Sequence, residues 1–429
     1  MRLEIKPASQ LNGVISVPGD KSISHRAVML GALSRGMTEI EGFLKGRDCL
    51  STIRCMRALG VPITVSGETV SVHGQGLHGL KEPENILNVG NSGTTLRLLT
   101  GILAGQPFAA TLTGDASIRR RPMGRVVKPL SEMGAVFLGR QNNTLAPFSI
   151  HGGALKPLRY EMPVASAQVK SSLLLAGLYT NGWTEVVEPQ SSRNHTELML
   201  SSFGAPVATC GNTVRVQGGR ELTAQKVVVP GDISSAAFFL VAGLIIPDSR
   251  LVIQSVGLNP TRDGIISVLR AMGGCIKVNN LRTIAGEPIG DLEVETSELH
   301  GISIGGALIP RLIDEIPVLA VAALFAQGKT EIRDAAELKV KESNRLRTVC
   351  EGLTRLGGRV EELPDGLRVE GGYPLSGAVC ESYHDHRIAM ALAIAALGAR
   401  GTTVIEDAEA IEISFPSFTE ILARIAATE

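Results

Sequence analysis

Lysine, serine and arginine side chains follow a Pro-Gly turn near the N-terminus. The stretch VPGDKSISHR at residues 17–26 contains Lys21, Ser22 and Arg26. Ammonium, hydroxyl and guanidinium groups donate hydrogen bonds to phosphates and carboxylates, so this stretch predicts an anion-binding site. Val-Pro-Gly-Asp recurs at residues 229–232, but the chain continues there as ISS, without a cation. The pattern indicates that only the first copy is followed by anion-binding chemistry.

Later stretches carry further groups that suit anions or proton transfer. In NVGNSGTTLR at residues 88–97, small residues around Gly93 allow backbone N–H groups to approach a phosphate or carboxylate. Asp314 and the stretches ASAQVK, SIRRRPMGR, KVKESNRLR and YHDHR add hydroxyls, cations and carboxylates. Each stretch alone is as compatible with a helix N-cap, a solvated helix face or an exposed basic turn. Because cations recur at corresponding positions of several repeats, the joint pattern favours one shared site.

Two kinds of helix alternate along the chain and must position these groups. The first kind is amphipathic and ends before a glycine that suits a left-handed helix end, at Gly60, Gly134, Gly204, Gly273 and Gly357. The second kind is apolar on most faces and predicts burial, with starts near Lys21, Asn91, Ala167, Asp232, Asp314 and Asp385. The pattern predicts six copies of a strand-helix-strand-helix-strand unit. An open solenoid is an alternative, but a fully buried helix in each unit favours globular packing.

The two Val-Pro-Gly-Asp segments mark the places where we expect the chain to cross between two domains of three repeats each. One domain spans residues 20–231 and is inserted into a second, which comprises residues 1–19 and 232–429. The hinge crossings lie near residues 17–20 and 229–232. Helix N-termini present N–H groups and a positive dipole end. If the buried helices are parallel, we expect these ends to line a positively charged active-site cleft between the domains.

Composition excludes several classes of function. Lys+Arg and Asp+Glu both number 42, so non-specific binding to nucleic acid or to a membrane surface is not expected. The six cysteines form no CxxC pair, which predicts reduced thiols in a cytoplasmic protein. The N-terminal residues lack an apolar signal segment, and the longest apolar runs are too short to cross a bilayer. No metal-ligand spacing is evident, so no metal is expected.

The whole chain resembles one family through motifs that occur in order: PGDKSISHRA, NVGNSGTTLRLL, RRRPMG, ASAQVKSSLLLAGL, IDEIPVLAVAA, VKESNRL and DHRIAMA. They are similar to those of the 5-enolpyruvylshikimate-3-phosphate (EPSP) synthases. The resemblance implies an α/β fold, the two-domain inside-out α/β barrel of enolpyruvyl transferases, with six βαβαββ repeats. It also implies transfer of the enolpyruvyl group of phosphoenolpyruvate to the 5-hydroxyl of shikimate-3-phosphate, with release of phosphate. A monomer without a cofactor is expected, with these two small molecules as its partners.

The resemblance also implies roles for individual residues. Catalysis would involve Lys21, Asp314 and Glu342. Shikimate-3-phosphate would contact Lys21, Ser22, Arg26, Ser166, Ala167, Gln168, Ser192, Arg193, Asp314 and Lys341. Phosphoenolpyruvate would contact Lys21, Gly93, Arg121, Gln168, Arg345 and Arg387.

Two positions depart from the usual family pattern. Ala167 stands where many members have serine, which removes one hydroxyl contact but keeps the backbone N–H. Ile413 stands where many members have a lysine before Phe-Pro, which removes one cation expected for phosphoenolpyruvate. These departures indicate a divergent branch of the family.

Two other functions remain as alternatives. UDP-N-acetylglucosamine enolpyruvyl transferases share the architecture, but they usually have a reactive cysteine where this chain has Ala116. A non-catalytic repeat scaffold for peptide or RNA would need a basic excess or aromatic platforms, whereas aromatic residues make up only 3% of the chain. The scaffold would also leave Asp314 and Glu342 unexplained among the cations.

Overall fold

A computed structural model describes residues 1–427 of the chain. Its helices are α1 Lys21–Leu33, α2 Arg47–Ala58, α3 Gly93–Ala104, α4 Gly124–Met133, α5 Arg140–Asn143, α6 Ala167–Gly177, α7 His195–Ser202, α8 Ile233–Ile245, α9 Gly264–Ala271, α10 Ile309–Leu312, α11 Ile316–Phe325, α12 Arg345–Arg355, α13 His386–Leu397 and α14 Phe418–Ile425. The six predicted apolar helices correspond to α1, α3, α6, α8, α11 and α13. Each begins within two residues of its predicted start.

The strands within residues 1–427 form six separate sheets. In chain order they are β1 Leu3–Ile5, β2 Gln10–Ser16, β3 Ser34–Glu41, β4 Ile63–Ser66, β5 Thr69–Gln75, β6 Leu87–Asn88, β7 Ala109–Thr113, β8 Val136–Gly139, β9 Leu145–His151, β10 Arg159–Glu161, β11 Trp183–Val187, β12 Val207–Cys210 and β13 Thr213–Gln217. They continue as β14 Leu222–Thr223, β15 Lys226–Val228, β16 Arg250–Gly257, β17 Cys275–Ile284, β18 Glu287–Glu295, β19 Ser303–Ile304, β20 Lys329–Ile332, β21 Arg359–Leu363, β22 Gly366–Glu370, β23 Val379–Glu381, β24 Thr403–Glu406 and β25 Ala426–Ala427.

One topology recurs in these sheets. The orders β6-β7-β9-β8, β10-β11-β13-β12 and β19-β20-β22-β21 each contain a parallel pair followed by two antiparallel strands. The parallel pair is joined through an apolar helix, and an amphipathic helix precedes the last two strands, which gives a βαβαββ repeat. The orders β14-β3-β5-β4 and β17-β18-β16-β2-β25 repeat this arrangement with strands from distant parts of the chain. In the sixth sheet, β1-β24-β23, β1 supplies the antiparallel partner.

Glycines end the amphipathic helices as the sequence predicts. Positive φ angles occur at Gly60, Gly134, Gly204, Gly273 and Gly357, which follow α2, α4, α7, α9 and α12. A left-handed residue at this position satisfies the last carbonyls of a helix, and glycine adopts it without a Cβ clash. The chain can therefore turn directly from each outer helix into the next strand.

The chain divides into two compact units. The discontinuous unit comprises Met1–Pro18, Pro230–Thr283 and the chain from Glu287 onward; the inserted unit comprises Gly19–Val229 and Ile284–Gly286. Each unit has its own apolar core, in which the apolar helices are almost wholly buried and the strands alternate buried with exposed residues. Among residues 1–427, no helix has the length and apolar character needed to cross a bilayer. The interdomain cleft stays a prediction.

Candidate functional site

The first predicted helix start places a lysine beside a buried carboxylate. Asp20 caps α1, because its side chain accepts a hydrogen bond from the Ile23 N–H at 2.8 Å. Lys21 contacts Asp48, which is buried in the first turn of α2. The Lys21 side chain is 18% exposed, so solvent reaches a lysine that already has a counter-ion. Ser22 is half-buried next to it in the chain.

Arg26 is buried one turn further along α1, where neutral groups orient its guanidinium. Its Nε donates to Thr196 Oγ1 at 2.7 Å, and one terminal nitrogen donates to Ser171 Oγ at 2.7 Å. The other terminal nitrogen donates to the Ser22 carbonyl at 2.9 Å. These bonds use three of the five guanidinium N–H groups. No local sequence pattern indicated Ser171 or Thr196 as partners.

The second predicted start brings an arginine against a glycine. Ser92 caps α3, accepting from the Thr95 N–H at 3.1 Å. Arg121 is buried and donates to Asn91 Oδ1 at 3.0 Å. A Cβ on residue 93 would lie 2.9 Å from Arg121 Nη1, so Gly93 permits this close approach. Backbone N–H groups and a guanidinium at one helix start form an arrangement that suits an anion.

The third predicted start is tied to the second. Ser166 caps α6 and Ala167 is the first helical residue. The Gln168 side-chain oxygen accepts from Arg97, and its nitrogen donates to Thr94 Oγ1 at 2.9 Å. Since Arg97 and Thr94 belong to α3, Gln168 joins the two helix starts in one hydrogen-bonded group.

The segment between β11 and α7 is held by a buried lysine. Lys170 of α6 is 1% exposed and contacts Glu188 Oε2 at 2.7 Å and Glu197 Oε1 at 2.6 Å. Ser192 is buried, and its hydroxyl donates to Glu188. The predicted contact between shikimate-3-phosphate and Ser192 therefore concerns a hydroxyl that already has a protein acceptor, whereas Arg193 is half-buried. The lysine within the otherwise apolar sequence of α6 was a signal for nearby carboxylates, since buried lysines need partners of opposite charge.

In the discontinuous unit, predicted residues from two stretches meet at one carboxylate. Lys341 Nζ lies 3.5 Å from Asp314 Oδ1, and Arg345 Nη1 lies 3.3 Å from the same oxygen. Arg345 also contacts Glu342 Oε2 at 2.5 Å. Both of these donors are cations, and a nearby cation favours the ionised form of a carboxyl group. The two candidate proton-transfer residues are therefore linked through one guanidinium.

Arg345 is enclosed by acidic groups more fully than its predicted role suggests. Its Nε contacts Asp385 Oδ2 at 2.9 Å, and Asp385 is completely buried. Burial lowers the pKa of Arg345, but Asp385, Glu342 and Asp314 outweigh it and raise that pKa above its ordinary value. Burial likewise raises the pKa of Asp385, but the Arg345 guanidinium outweighs it and holds that pKa below its usual range. The expected concentration of positive charge is thus partly balanced by carboxylates here.

Arg387 also lies beside Asp314. The first turn of α13 places its Nη1 2.9 Å from the Asp314 carbonyl oxygen, to which it donates. Asp385 caps this helix, accepting from the Arg387 N–H at 3.0 Å. Ile413, at the position of the missing family lysine, is half-buried at the end of a 3₁₀ turn over Ala408–Ile413. The structure therefore groups Asp314, Lys341, Glu342, Arg345 and Arg387.

The second Val-Pro-Gly-Asp copy precedes a cluster of ionic side chains that is buried from solvent, here called the sealed cluster. Asp232 caps α8 and contacts Arg262 Nη2 at 3.0 Å. The same nitrogen donates to Ser234 Oγ, and Ser234 donates to Glu315, the neighbour of Asp314. All four side chains are buried. Arg262 and Glu315 had no signal in the sequence as partners of Asp232, because no local pattern brings stretches so far apart together.

Another buried group lies behind the first helix start. His25 Nδ1 lies 2.6 Å from Thr52 Oγ1, which lies 2.7 Å from Thr95 Oγ1. Thr95 in turn donates to the N-cap Ser92 at 2.7 Å. Burial, together with the nearby cations Lys21 and Arg26, lowers the pKa of His25 well below its ordinary value. A neutral histidine therefore anchors a chain of hydroxyls that joins α1 to the start of α3.

One group in the described chain has metal-ligand chemistry. His384, Asp407 and Glu409 place one ligand atom each within 4.8 Å of one another. His384 is exposed, and Glu409 already contacts the N-terminal ammonium at 2.5 Å. These partial contacts give no reason to assign a metal.

Comparison with known proteins connects this arrangement to one family. Residues 5–422 match the family model described as EPSP synthase (3-phosphoshikimate 1-carboxyvinyltransferase). The chain is 56% identical over 428 residues to a protein from Desulforamulus reducens named 3-phosphoshikimate 1-carboxyvinyltransferase, and the match covers 99% of both chains. A Thermoanaerobacter protein of the same name is 57% identical over 418 residues, which cover 97% of this chain and 98% of the other.

Solved structures agree with the sequence comparisons. An EPSP synthase from Acinetobacter baumannii superposes with a TM-score of 0.89 at 44% identity, covering 100% of this chain and 98% of that one. The enolpyruvyl transferase NikO from Streptomyces tendae superposes with a TM-score of 0.81 at 19% identity, covering 99% and 97%. The second similarity concerns the fold alone, which is the predicted enolpyruvyl transferase fold.

Proposed function

The chain belongs to the EPSP synthase (3-phosphoshikimate 1-carboxyvinyltransferase) family, and we propose that it catalyses carboxyvinyl transfer from phosphoenolpyruvate to shikimate-3-phosphate. In this proposal, the helix-start residues of the inserted unit and those around Asp314 in the discontinuous unit bind the two substrates. The observation that carries the proposal is the grouping of Asp314, Lys341, Glu342 and Arg345 around one carboxylate oxygen and one guanidinium. This grouping combines cations for anionic substrates with carboxylates that can transfer protons.

The reaction has two steps with defined proton demands. The oxygen of the 5-hydroxyl bonds to C2 of phosphoenolpyruvate, the hydroxyl loses its proton and C3 gains one. The resulting tetrahedral intermediate then loses a proton from its methyl group while the C2–O bond to phosphate breaks. The products are the carboxyvinyl ether and inorganic phosphate. A base must therefore face the hydroxyl, and an acid that becomes a base must face C3.

The inserted unit is proposed to supply mainly fixed donors. Lys21 would contact both substrates, and its side chain is partly exposed for this purpose. Ser22, Arg26, Ser166, Ala167 and Arg193 would hold shikimate-3-phosphate. Arg121 and the Gly93 backbone would hold phosphoenolpyruvate, and Gln168, which is fixed by Arg97 and Thr94, would lie between the substrates.

The discontinuous unit is proposed to supply the proton-transfer groups. Asp314 would accept the hydroxyl proton, and Glu342 would deliver and then remove the proton at C3. Lys341 would contact shikimate-3-phosphate, while Arg345 and Arg387 would offset the charge of phosphoenolpyruvate. Because Arg345 touches both Asp314 and Glu342, it would also hold the two carboxyl groups at a fixed separation.

Turnover by the purified protein tests the function. We expect phosphate release and an enolpyruvyl product from shikimate-3-phosphate with phosphoenolpyruvate, without added metal or cofactor. Turnover with UDP-N-acetylglucosamine instead would identify the related transferase, and no turnover with either acceptor would contradict an enzymatic role. Arg121→Ala should raise KM for phosphoenolpyruvate far more than KM for shikimate-3-phosphate, and equal effects would contradict its assignment. We also propose that the protein is a cytoplasmic monomer. Light scattering would measure its molecular mass in solution and so test the monomeric state.

A further inference from the structure

A single buried ammonium organises the segment that carries Arg193. Lys170 Nζ contacts Glu188 Oε2 at 2.7 Å, Glu197 Oε1 at 2.6 Å and the Ser192 carbonyl oxygen at 3.3 Å. The contacts with Glu188 and with the Ser192 carbonyl are hydrogen bonds, and the contact with Glu197 is an ion pair. We call Lys170, Glu188, Ser192 and Glu197 the Lys170 network.

The acceptors of Lys170 are spread along one connecting segment. Glu188 directly follows β11, Glu197 lies in the first turn of α7, and Ser192 lies between them. The Ser192 hydroxyl also donates to Glu188, so Ser192 is held through both its carbonyl and its hydroxyl. Lys170 therefore fixes both ends of the segment and the residue directly before Arg193.

The energetic cost of this network indicates a positional use. Lys170 is 1% exposed and its two carboxylate partners are 3% and 7% exposed, so three charges have been removed from water. Buried ion pairs stabilise a fold no better than apolar side chains of similar volume in many cases. Hydrogen bonds with fixed directions, however, hold a backbone segment in one place, which apolar packing does less specifically.

We propose that the Lys170 network positions Arg193 to bind the phosphate of shikimate-3-phosphate. This inference rests on the proposed function. Lys170 is a positioning residue without a substrate contact of its own, because its side chain is 1% exposed and its ammonium is already contacted by two carboxylates and the Ser192 carbonyl. The Ser192 hydroxyl serves the network, so recognition of the phosphate on this segment falls to Arg193. The site selects a phosphorylated acceptor through a lysine that does not touch it.

Steady-state kinetics of Lys170→Met, Arg193→Ala and the double variant test the proposal. Lys170→Met should raise KM for shikimate-3-phosphate about tenfold, as expected for a displaced charge-assisted hydrogen bond, and KM for phosphoenolpyruvate less than about twofold. The double variant should be no worse than Arg193→Ala, because both changes remove the same contact. Multiplying effects, or equal increases in both KM values, would overturn the proposal.

An acceptor that lacks the phosphate separates the positioning of Arg193 from general structural support. A purely structural defect would lower activity with both acceptors alike. With shikimate in place of shikimate-3-phosphate, Lys170→Met and the unaltered enzyme should have the same kcat/KM, since no phosphate remains to be positioned. A defect of equal size with both acceptors would overturn the proposal. If the unaltered protein turns over neither acceptor, the proposed function itself fails, which separates the two outcomes.

Ser192→Ala keeps all three buried charges and serves if Lys170→Met does not fold. It should raise KM for shikimate-3-phosphate by about threefold and leave KM for phosphoenolpyruvate unchanged, as expected from the loss of one hydrogen bond. Val214→Ala, a core truncation in β13 of the same unit, controls for general loss of stability and should change neither KM. An unchanged KM for shikimate-3-phosphate in Ser192→Ala would overturn the proposal.

Discussion

The two Val-Pro-Gly-Asp segments begin helices in the same way and then differ in how their charges are paired. Asp20 accepts from the Ile23 N–H at 2.8 Å, and Asp232 accepts from the Ser234 N–H at 2.9 Å. After the first segment, Lys21 pairs with Asp48 and keeps 18% of its side chain exposed. After the second, Arg262 is 3% exposed and reaches both Asp232 and Ser234.

The comparison shows how equivalent positions of a repeat serve different purposes. A partly exposed lysine can exchange some of its contact with a protein carboxylate for contact with a substrate anion. A buried arginine surrounded by acceptors cannot exchange its protein contacts for a substrate anion. It instead holds α8 and Glu315 in place. The accessibility of the cation, and not the shared turn, therefore distinguishes substrate chemistry from structural support.

The largest expected effect concerns the sealed cluster. Arg262→Met would remove the guanidinium that contacts buried Asp232 and one of the two that lie near buried Glu315, and we expect a loss of about 3–5 kcal/mol in the free energy of unfolding. Denaturant unfolding measures this loss. Arg311→Met makes the same chemical change in the half-exposed pair with Asp263 and should cost less than about 1 kcal/mol. Similar losses in the two variants would show that the Arg262 cluster is not sealed.

The next effect concerns catalysis at the first segment. Lys21→Met should lower kcat/KM by about 100- to 1,000-fold, the loss typical of one preorganised donor. Coupled measurement of phosphate release gives the rate. The change also leaves buried Asp48 without its counter-ion, which should lower stability. The double variant Lys21→Met/Asp48→Asn separates this loss of stability from the loss of catalysis. The double variant should regain stability and remain inactive, whereas recovered activity would contradict a direct role for Lys21.

The fold was largely predictable from the sequence, because its signals are local. The six apolar helices begin within two residues of the predicted starts, and five glycines have the left-handed backbone that their positions required. Residues Ile284–Gly286, at the end of β17 and in the turn before β18, group with the inserted unit, and no local sequence pattern indicated this.

The site was only partly predictable, because its partners come from distant segments. Motif matches identified Asp314, Glu342 and Arg345, and the structure groups them. The carboxylates that pair with the cations, such as Asp48 and Asp385, depend on packing between elements and leave no local pattern.

Removal of the two caps compares the shared part of the segments. Asp20→Ala should lower the free energy of unfolding by about 1 kcal/mol, the usual contribution of an N-cap. Asp232→Ala should cost at least about 1 kcal/mol more, because Asp232 also pairs with buried Arg262. Chemical denaturation of both variants measures the difference. Equal losses would mean that the pairing with Arg262 contributes nothing beyond the cap.

The smallest expected effect tests how tightly the first segment is packed beneath its partly exposed lysine. His25 is buried with a pKa well below its ordinary value, so it stays neutral in the folded protein where an unfolded histidine, with a pKa of about 6.5, takes up a proton. The unfolded state then binds more protons, and the free energy of unfolding falls as the pH falls through this range. Between pH 7 and pH 6 the contribution of one such group is about 0.7 kcal/mol. His25→Asn cannot titrate, so its free energy of unfolding should fall by about that much less over the same interval. Parallel urea titrations at the two pH values measure the difference, and identical pH dependence in the two proteins would mean that His25 is protonated in the folded state as readily as in the unfolded chain.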